Sequence, residues 1–136
     1  MDRAKKFGEV YTSEREVNDM LNLVCDETIR IDARFLEPAC GDGNFLIKIL
    51  EKKLHIIEKK YKNSQVEYER YSVQAISSLY GIDILEDNVI NCRKRLSNFF
   101  LQNYKKLFKD SSKNKFIESI NFILSLNIVW GDAISL

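Results

Sequence analysis

Residues 34–46 read Arg-Phe-Leu-Glu-Pro-Ala-Cys-Gly-Asp-Gly-Asn-Phe-Leu. Phe35 and Leu36 predict a short apolar strand over 34–37. Pro38 stops it, because proline has no N–H to give to a sheet ladder. Gly41 and Gly43 on either side of Asp42 predict a tight turn, since glycine enters backbone regions closed to other residues. From Asn44, the residues Phe45, Ile49, Leu50, Leu54, Ile57 and Tyr61 recur at helical spacing, with Lys and Glu on the other face. The unit is strand, glycine bend, helix.

Working outward, the same unit recurs. Asn63-Ser64 breaks the first helix and a second is expected over 66–78. Ser78-Leu-Tyr-Gly-Ile-Asp-Ile-Leu is a second short strand. Glu86 and Asp87 then place negative charge in the first turn of a helix, where the backbone dipole favours it. Val89, Cys92, Leu96 and Phe99 or Phe100 give that helix its apolar stripe. Residues 109–115 read as a polar loop, 116–125 as helix, and Asn127-Ile-Val-Trp-Gly as a third strand. Towards the N-terminus, residues 3–12 read as an extended arm. Ser13 and Glu16 form a capping box before an amphipathic helix over 14–30 carrying Val17, Met20, Leu21 and Val24. Strands separated by helices predict an α/β fold with a parallel sheet and right-handed crossovers. One domain is expected over 1–136, with an N-terminal arm and helix (1–30) and a β-α-β-α-β core (31–136).

Composition removes several classes. The 136 residues carry 21 Lys+Arg against 20 Asp+Glu, so no global field announces a nucleic-acid or cation binder. No apolar run approaches the roughly 20 residues of a membrane span, and the N-terminus lacks the apolar core of a secretory signal. Cys25, Cys40 and Cys92 are scattered, which predicts a reducing, cytoplasmic setting and neither a disulfide framework nor a zinc site. No metal site is expected. Cys40 sits near a helix N-terminus, where a thiol pKa can fall, but no His lies nearby and no redox role is expected. His55 reads as a surface or boundary residue, Cys92 as core, and Trp130 as a strand residue packing the sheet. Between Arg93 and Lys115 there are eight Lys+Arg and one acid, Asp110. That run reads as a solvated helix face rather than a contact for a DNA backbone.

Glu37, Asp83 and Asp132 fall at or near the carboxyl ends of the three strands, the edge at which open α/β sheets bind ligands. The dinucleotide fingerprint needs a third glycine where this chain has Leu46, and a P-loop needs Gly-Lys-Ser/Thr, which is absent. No basic residue lies in 35–47 to meet a phosphate, and Glu37 and Asp42 would repel one. An acidic, glycine-bearing turn suits a ligand with an ammonium or sulfonium and no phosphate, and a carboxylate at the next strand end suits a ribose diol. S-adenosylmethionine has both features.

Four blocks carry a resemblance: FGEVYTSEREVNDML (7–21), FLEPACGDGNFL (35–46), LYGIDILEDNVINCRKRL (79–96) and NIVWGDAISL (127–136). In order and spacing they resemble successive motifs of SAM-dependent DNA adenine-N6 methyltransferases, of the branch that includes type I modification subunits and fused restriction–methylation enzymes. The resemblance implies a partial class I SAM-dependent methyltransferase (Rossmann-like) fold. It places Tyr11, Thr12 and Ser13 against the methionine half of the cofactor, although the family usually has Thr-Pro where this chain has Thr12-Ser13. Glu37, Ala39, Gly41 and Phe45 match the loop around the methionine moiety, with Glu37 near its ammonium. Asp83 matches the acid that binds the ribose hydroxyls, and Ile84 the apolar residue on the adenine face. Asp132 matches the acid that accepts from the adenine amino group, with Ala133 beside it.

The resemblance also implies an absence. The family transfers its methyl group through an Asn-Pro-Pro-Tyr-type motif after the fourth strand, whose aromatic ring stacks on the flipped base. Pro38 is the single proline of these residues. The 136-residue chain is therefore expected to hold cofactor but not to methylate DNA by itself. The family's sheet order 3-2-1-4-5-7-6 implies that these residues supply strands 3, 2 and 1. The strand at 34–37 is then an open edge, expected to recruit the remaining methyltransferase chain or a second copy. A non-catalytic module that binds SAM or a protein is the alternative, and a methyltransferase of protein or RNA a third possibility.

Overall fold

The computed structural model describes Arg15, residues 30–132 and Ile134. Apart from Arg15 and Arg30, the helix expected over 14–30 lies outside the described residues. The elements in chain order are β1 (Phe35–Glu37), α1 (Asn44–Tyr61), α2 (Gln65–Ser77), β2 (Leu79–Asp83), α3 (Glu86–Phe108), a 3-10 turn (Lys109–Ser111), α4 (Asn114–Asn127) and β3 (Ile128–Trp130). The three strands form one sheet in the order β1-β2-β3, the 3-2-1 arrangement expected. Both pairings are parallel, with Leu36 opposite Tyr80, Gly81 opposite Ile128 and Asp83 opposite Trp130.

The elements of residues 30–132 form a mixed α/β arrangement of two layers. All four of the helices α1–α4 touch β2, and α1 packs on α2 and α3 while α4 packs on α2 and α3. Two right-handed crossovers in the same direction deliver their helices to one face of a sheet. Alternation along the strands agrees: Leu79, Gly81 and Asp83 are buried on the helix side, whereas Leu36 on the other side is 61% exposed. The core between the layers contains Leu46, Ile49, Leu50, Leu54 and Ile57 of α1, Tyr68 and Ile76 of α2, Val89, Cys92, Leu96, Phe100 and Tyr104 of α3, and Ile120 and Leu124 of α4. The stripe predicted on α3 is this core, with Phe100 rather than Phe99 at its centre. Among the described residues, no helix is long and apolar enough to cross a membrane.

Several boundaries differ from expectation, and Asn127, expected to open the third strand, instead closes α4. α2 begins at Gln65 because Ser64 caps it, its hydroxyl accepting from the Glu67 N–H at 3.4 Å. The polar stretch 109–115 is only partly loop: a 3-10 turn takes its first three residues and α4 begins at Asn114. The cause lies outside the stretch. Gln65 Nε2 donates to the Ser111 carbonyl at 2.7 Å and to Tyr104 Oη at 3.1 Å, the Lys113 N–H donates to Tyr104 Oη at 3.2 Å, and Tyr104 Oη donates to Glu69. Four of the eight cations of the basic run take part in such contacts. Arg93 donates to the Ile128 and Ser125 carbonyls, Arg95 reaches the glycine bend, Lys106 faces Glu58, and Lys113 faces Glu69.

Lys53 is the least expected core member. It lies on α1 with no exposed surface, and Nζ donates to the carbonyls of Ile31 (2.9 Å) and Ala33 and to Ser78 Oγ (2.6 Å). The ammonium thus ties the approach to β1 to the start of β2, and it lies 5.3 Å from the Phe35 ring centroid. Burial lowers its pKa from 10.5 to about 8. Below about 8 both folded and unfolded chains hold the proton, and the fold carries the cost of the buried charge. Between about 8 and 10.5 only the unfolded chain holds it, so stability rises with pH across that window. Urea unfolding on either side of the window should show this rise. Lys53→Met should abolish it and cost about 2–3 kcal/mol at neutral pH, since three buried acceptors lose their donor.

Candidate functional site

The carboxyl ends of β1 and β2 and the bend between Pro38 and Asn44 form one rim. Past Glu37 the chain stays beside β2, because the Cys40 N–H donates to the Ile82 carbonyl at 2.9 Å. It then turns back through Gly41 (φ 54°) and Gly43 (φ 92°), both in the left-handed region that glycine enters without strain. The Gly43 N–H closes the turn on the Cys40 carbonyl at 2.9 Å.

Side chains from three elements pin this bend. Glu37 Oε1 accepts from the Ala39 N–H at 3.2 Å. Asp83 Oδ2 accepts from the Gly41 N–H at 2.9 Å, while its Oδ1 accepts from the Leu85 N–H at 2.9 Å and from Asn88 Nδ2 at 3.2 Å. Arg95, from α3, donates through Nη1 to Asn44 Oδ1 (2.8 Å) and the Asp42 carbonyl (3.1 Å), and pairs with the Asp42 carboxylate at 3.2 Å. Sequence reasoning found no cation near the bend. The fold supplies one from 53 residues away, and Asp42 and Asn44 engage it. Glu37, Asp42, Asp83 and Asp132 against Arg95 leave this edge acidic, which opposes a phosphate.

Gly43 at the N-cap of α1 offers no side-chain cap and the first turn of that helix has no acid, whereas Ser64 caps α2 and Glu86 and Asp87 occupy the first turn of α3. The leading N–H groups of α1 therefore present a partial positive charge beside an acidic edge. That pairing matches a zwitterion, with a carboxylate on the helix end and an ammonium on Glu37.

Glu37, Ala39, Gly41, Phe45, Asp83 and Ile84 are brought to this rim. Phe45 is half-buried against the core and Ile84 is 47% exposed. Asp83 is only 6% exposed. A carboxylate has about four acceptor positions. Oδ1 is filled and Oδ2 keeps one, so Asp83 has room for a single donor from outside, not the pair a diol supplies. Asp132 is exposed beyond β3 and its Oδ1 accepts from the Ile134 N–H at 2.9 Å. Tyr11, Thr12, Ser13 and Ala133 lie outside the described residues. Among the described residues no group of three His, Cys, Asp or Glu is placed to hold a metal.

Cys40 and Cys92 are buried and free. A hydrogen bond between their side chains, then burial, pushes the Cys40 thiol up, so the helix end does not activate it. Trp130 is a correction: it sits in β3 as expected but is 61% exposed, and its indole N–H donates to the Ile84 carbonyl at 2.9 Å. Its single occurrence in the sequence was the only signal that could have drawn notice. Arg95 gave none because its partners lie 53 and 51 residues away, and Asn88 gave none because it reads as an ordinary polar residue in the first turn of a helix. Compared with protein-family models, curated proteins and solved structures, the chain matches none.

Proposed function

We propose that this chain is the cofactor-binding portion of a SAM-dependent DNA adenine-N6 methyltransferase, built on part of a class I (Rossmann-like) methyltransferase fold. The observation that carries the reading is the uncapped start of α1 beside the acidic rim, an arrangement suited to an amino-acid sulfonium and hostile to a phosphate. Glu37 would meet the ammonium, the α1 N–H groups the carboxylate, and Asp83 one ribose hydroxyl. Asp132 would accept from the adenine amino group. S-adenosylmethionine supplies the activated methyl group, and the chain's own residues bind and orient it. Transfer to DNA needs an Asn-Pro-Pro-Tyr-type motif that these 136 residues do not contain.

Calorimetric titration tests the reading. S-adenosylmethionine should give a saturable heat and ATP none. Heat with ATP but not with S-adenosylmethionine would remove the reading. One observation favours a second reading, a module with no ligand at this edge: three of Asp83's acceptor positions are filled by the chain itself. Silence with both ligands would support it.

The edge of β1 is proposed as a contact for the rest of a methyltransferase or for a second copy. β1 is an outer strand of the sheet, and Leu36 on it is 61% exposed. Sedimentation at tens of micromolar should show self-association, and a monodisperse monomer would contradict it.

A further inference from the structure

Trp130 stands beside Asp83 on the same side of the sheet, since the two are register partners. Beyond the ladder, the Gly131 N–H donates to the Asp83 carbonyl at 2.9 Å, so the two strand ends stay joined. The indole N–H crosses to the carbonyl of Ile84, the residue after Asp83. That bond fixes the edge of the ring. Its surface remains open, at 61% exposure, next to Ile84 at 47%. The open indole face thus lies beside the Ile84 backbone on an otherwise acidic rim. Asp83, whose carboxylate has one acceptor position to spare, is the register partner of Trp130 on the neighbouring strand.

An aromatic face beside a carboxylate is complementary to a nucleoside: a hydroxyl of the sugar on the acid, the flat base on the ring. We propose that the open face of Trp130 receives the heterocyclic base, the ring being held in place by its N–H on the Ile84 carbonyl. The inference rests on the nucleoside-cofactor reading above and extends it to a residue that the sequence motifs assign no role. A purine gains stacking from an indole face, and a free amino acid such as methionine offers no ring to stack on it.

Trp130 is the only tryptophan, so its emission reports on this one position. The test titrates the chain with S-adenosylmethionine, with adenosine and with methionine, following emission and heat in parallel. S-adenosylmethionine and adenosine should change the emission and methionine should not. Trp130→Ala should weaken S-adenosylmethionine binding about three- to tenfold, and Trp130→Phe, which keeps an aromatic face, should recover most of it. Circular dichroism should be unaltered, since the side chain is exposed. Heat of binding with unchanged emission and an unchanged Trp130→Ala affinity would overturn the base-binding role of Trp130 while leaving the cofactor reading intact. No heat with any ligand would overturn both. Emission that shifts with protein concentration and not with nucleoside would make the patch a contact between copies, and would overturn the proposal.

Discussion

Gly43→Ala should lower the unfolding free energy by about 2–4 kcal/mol in a urea titration. Two effects add. Gly43 has φ 92°, where a side chain is strained. A Cβ there would also lie 2.8 Å from Cys92 Sγ and 3.5 Å from Cys92 Cα. Cys92 belongs to α3 and is fully buried, so the helix cannot swing aside without opening the core. The bend approaches α3 this closely because glycine lets it. Cys92→Ala removes the sulfur and not the backbone strain. The double variant should therefore show a favourable coupling of about 1–2 kcal/mol in a double-mutant cycle. A Gly43→Ala protein within about 0.5 kcal/mol of the parent, the usual range for a surface change, would mean that the bend is not held against α3.

Asp83→Ala is the second large effect, and it separates two roles of one carboxylate. The change leaves the Gly41 N–H, the Leu85 N–H and the buried Asn88 amide without their acceptor. Bonds to a charged acceptor contribute about 1.5–3 kcal/mol each and do not add fully, so a loss of about 3–5 kcal/mol is expected. Asp83→Asn should recover part of it, because an amide oxygen in the Oδ1 position still accepts from Leu85 and Asn88, whereas the amide nitrogen cannot accept from the Gly41 N–H. Binding of S-adenosylmethionine should fall in both variants. Asn88→Ala separates the roles: it removes one internal partner and spares the Oδ2 position left for a ligand. It should cost stability, by about 1–2 kcal/mol, with little loss of affinity. A variant at Asp83 with parental stability would refute the internal network.

Local chemistry made the scaffold legible. Pro38, Gly41 and Gly43 each act within a few residues of their own position, so strand, bend and helix could be read from order alone. Parallel order followed because helices separate the strands. The alternation of Leu79, Gly81 and Asp83 with Tyr80 and Ile82 follows from the two-residue period of a strand. The site was legible only in part. Glu37, Gly41, Asp83 and Ile84 do converge, but what holds them comes from afar: Arg95 from 53 residues beyond Asp42, and Trp130 from 46 beyond Ile84. Lys53 was hidden for a different reason. A lysine on a helix scores as polar, and only the assembled fold shows three acceptors around its ammonium. Trp130 was read as packing because large aromatics in strands usually bury, and here the strand ends at the rim.

The central claim is that the rim between β1 and β2 is a binding place for an amino-acid nucleoside. Backbone amide spectra of 15N-labelled protein, recorded through a titration with S-adenosylmethionine, address it most directly. The account predicts saturable shifts of Gly41, Gly43, Phe45, Ile84 and Leu85, with the core amides of α2 and α4 unmoved. Shifts confined to residues away from the strand ends, or a spectrum unchanged at millimolar ligand, would contradict it.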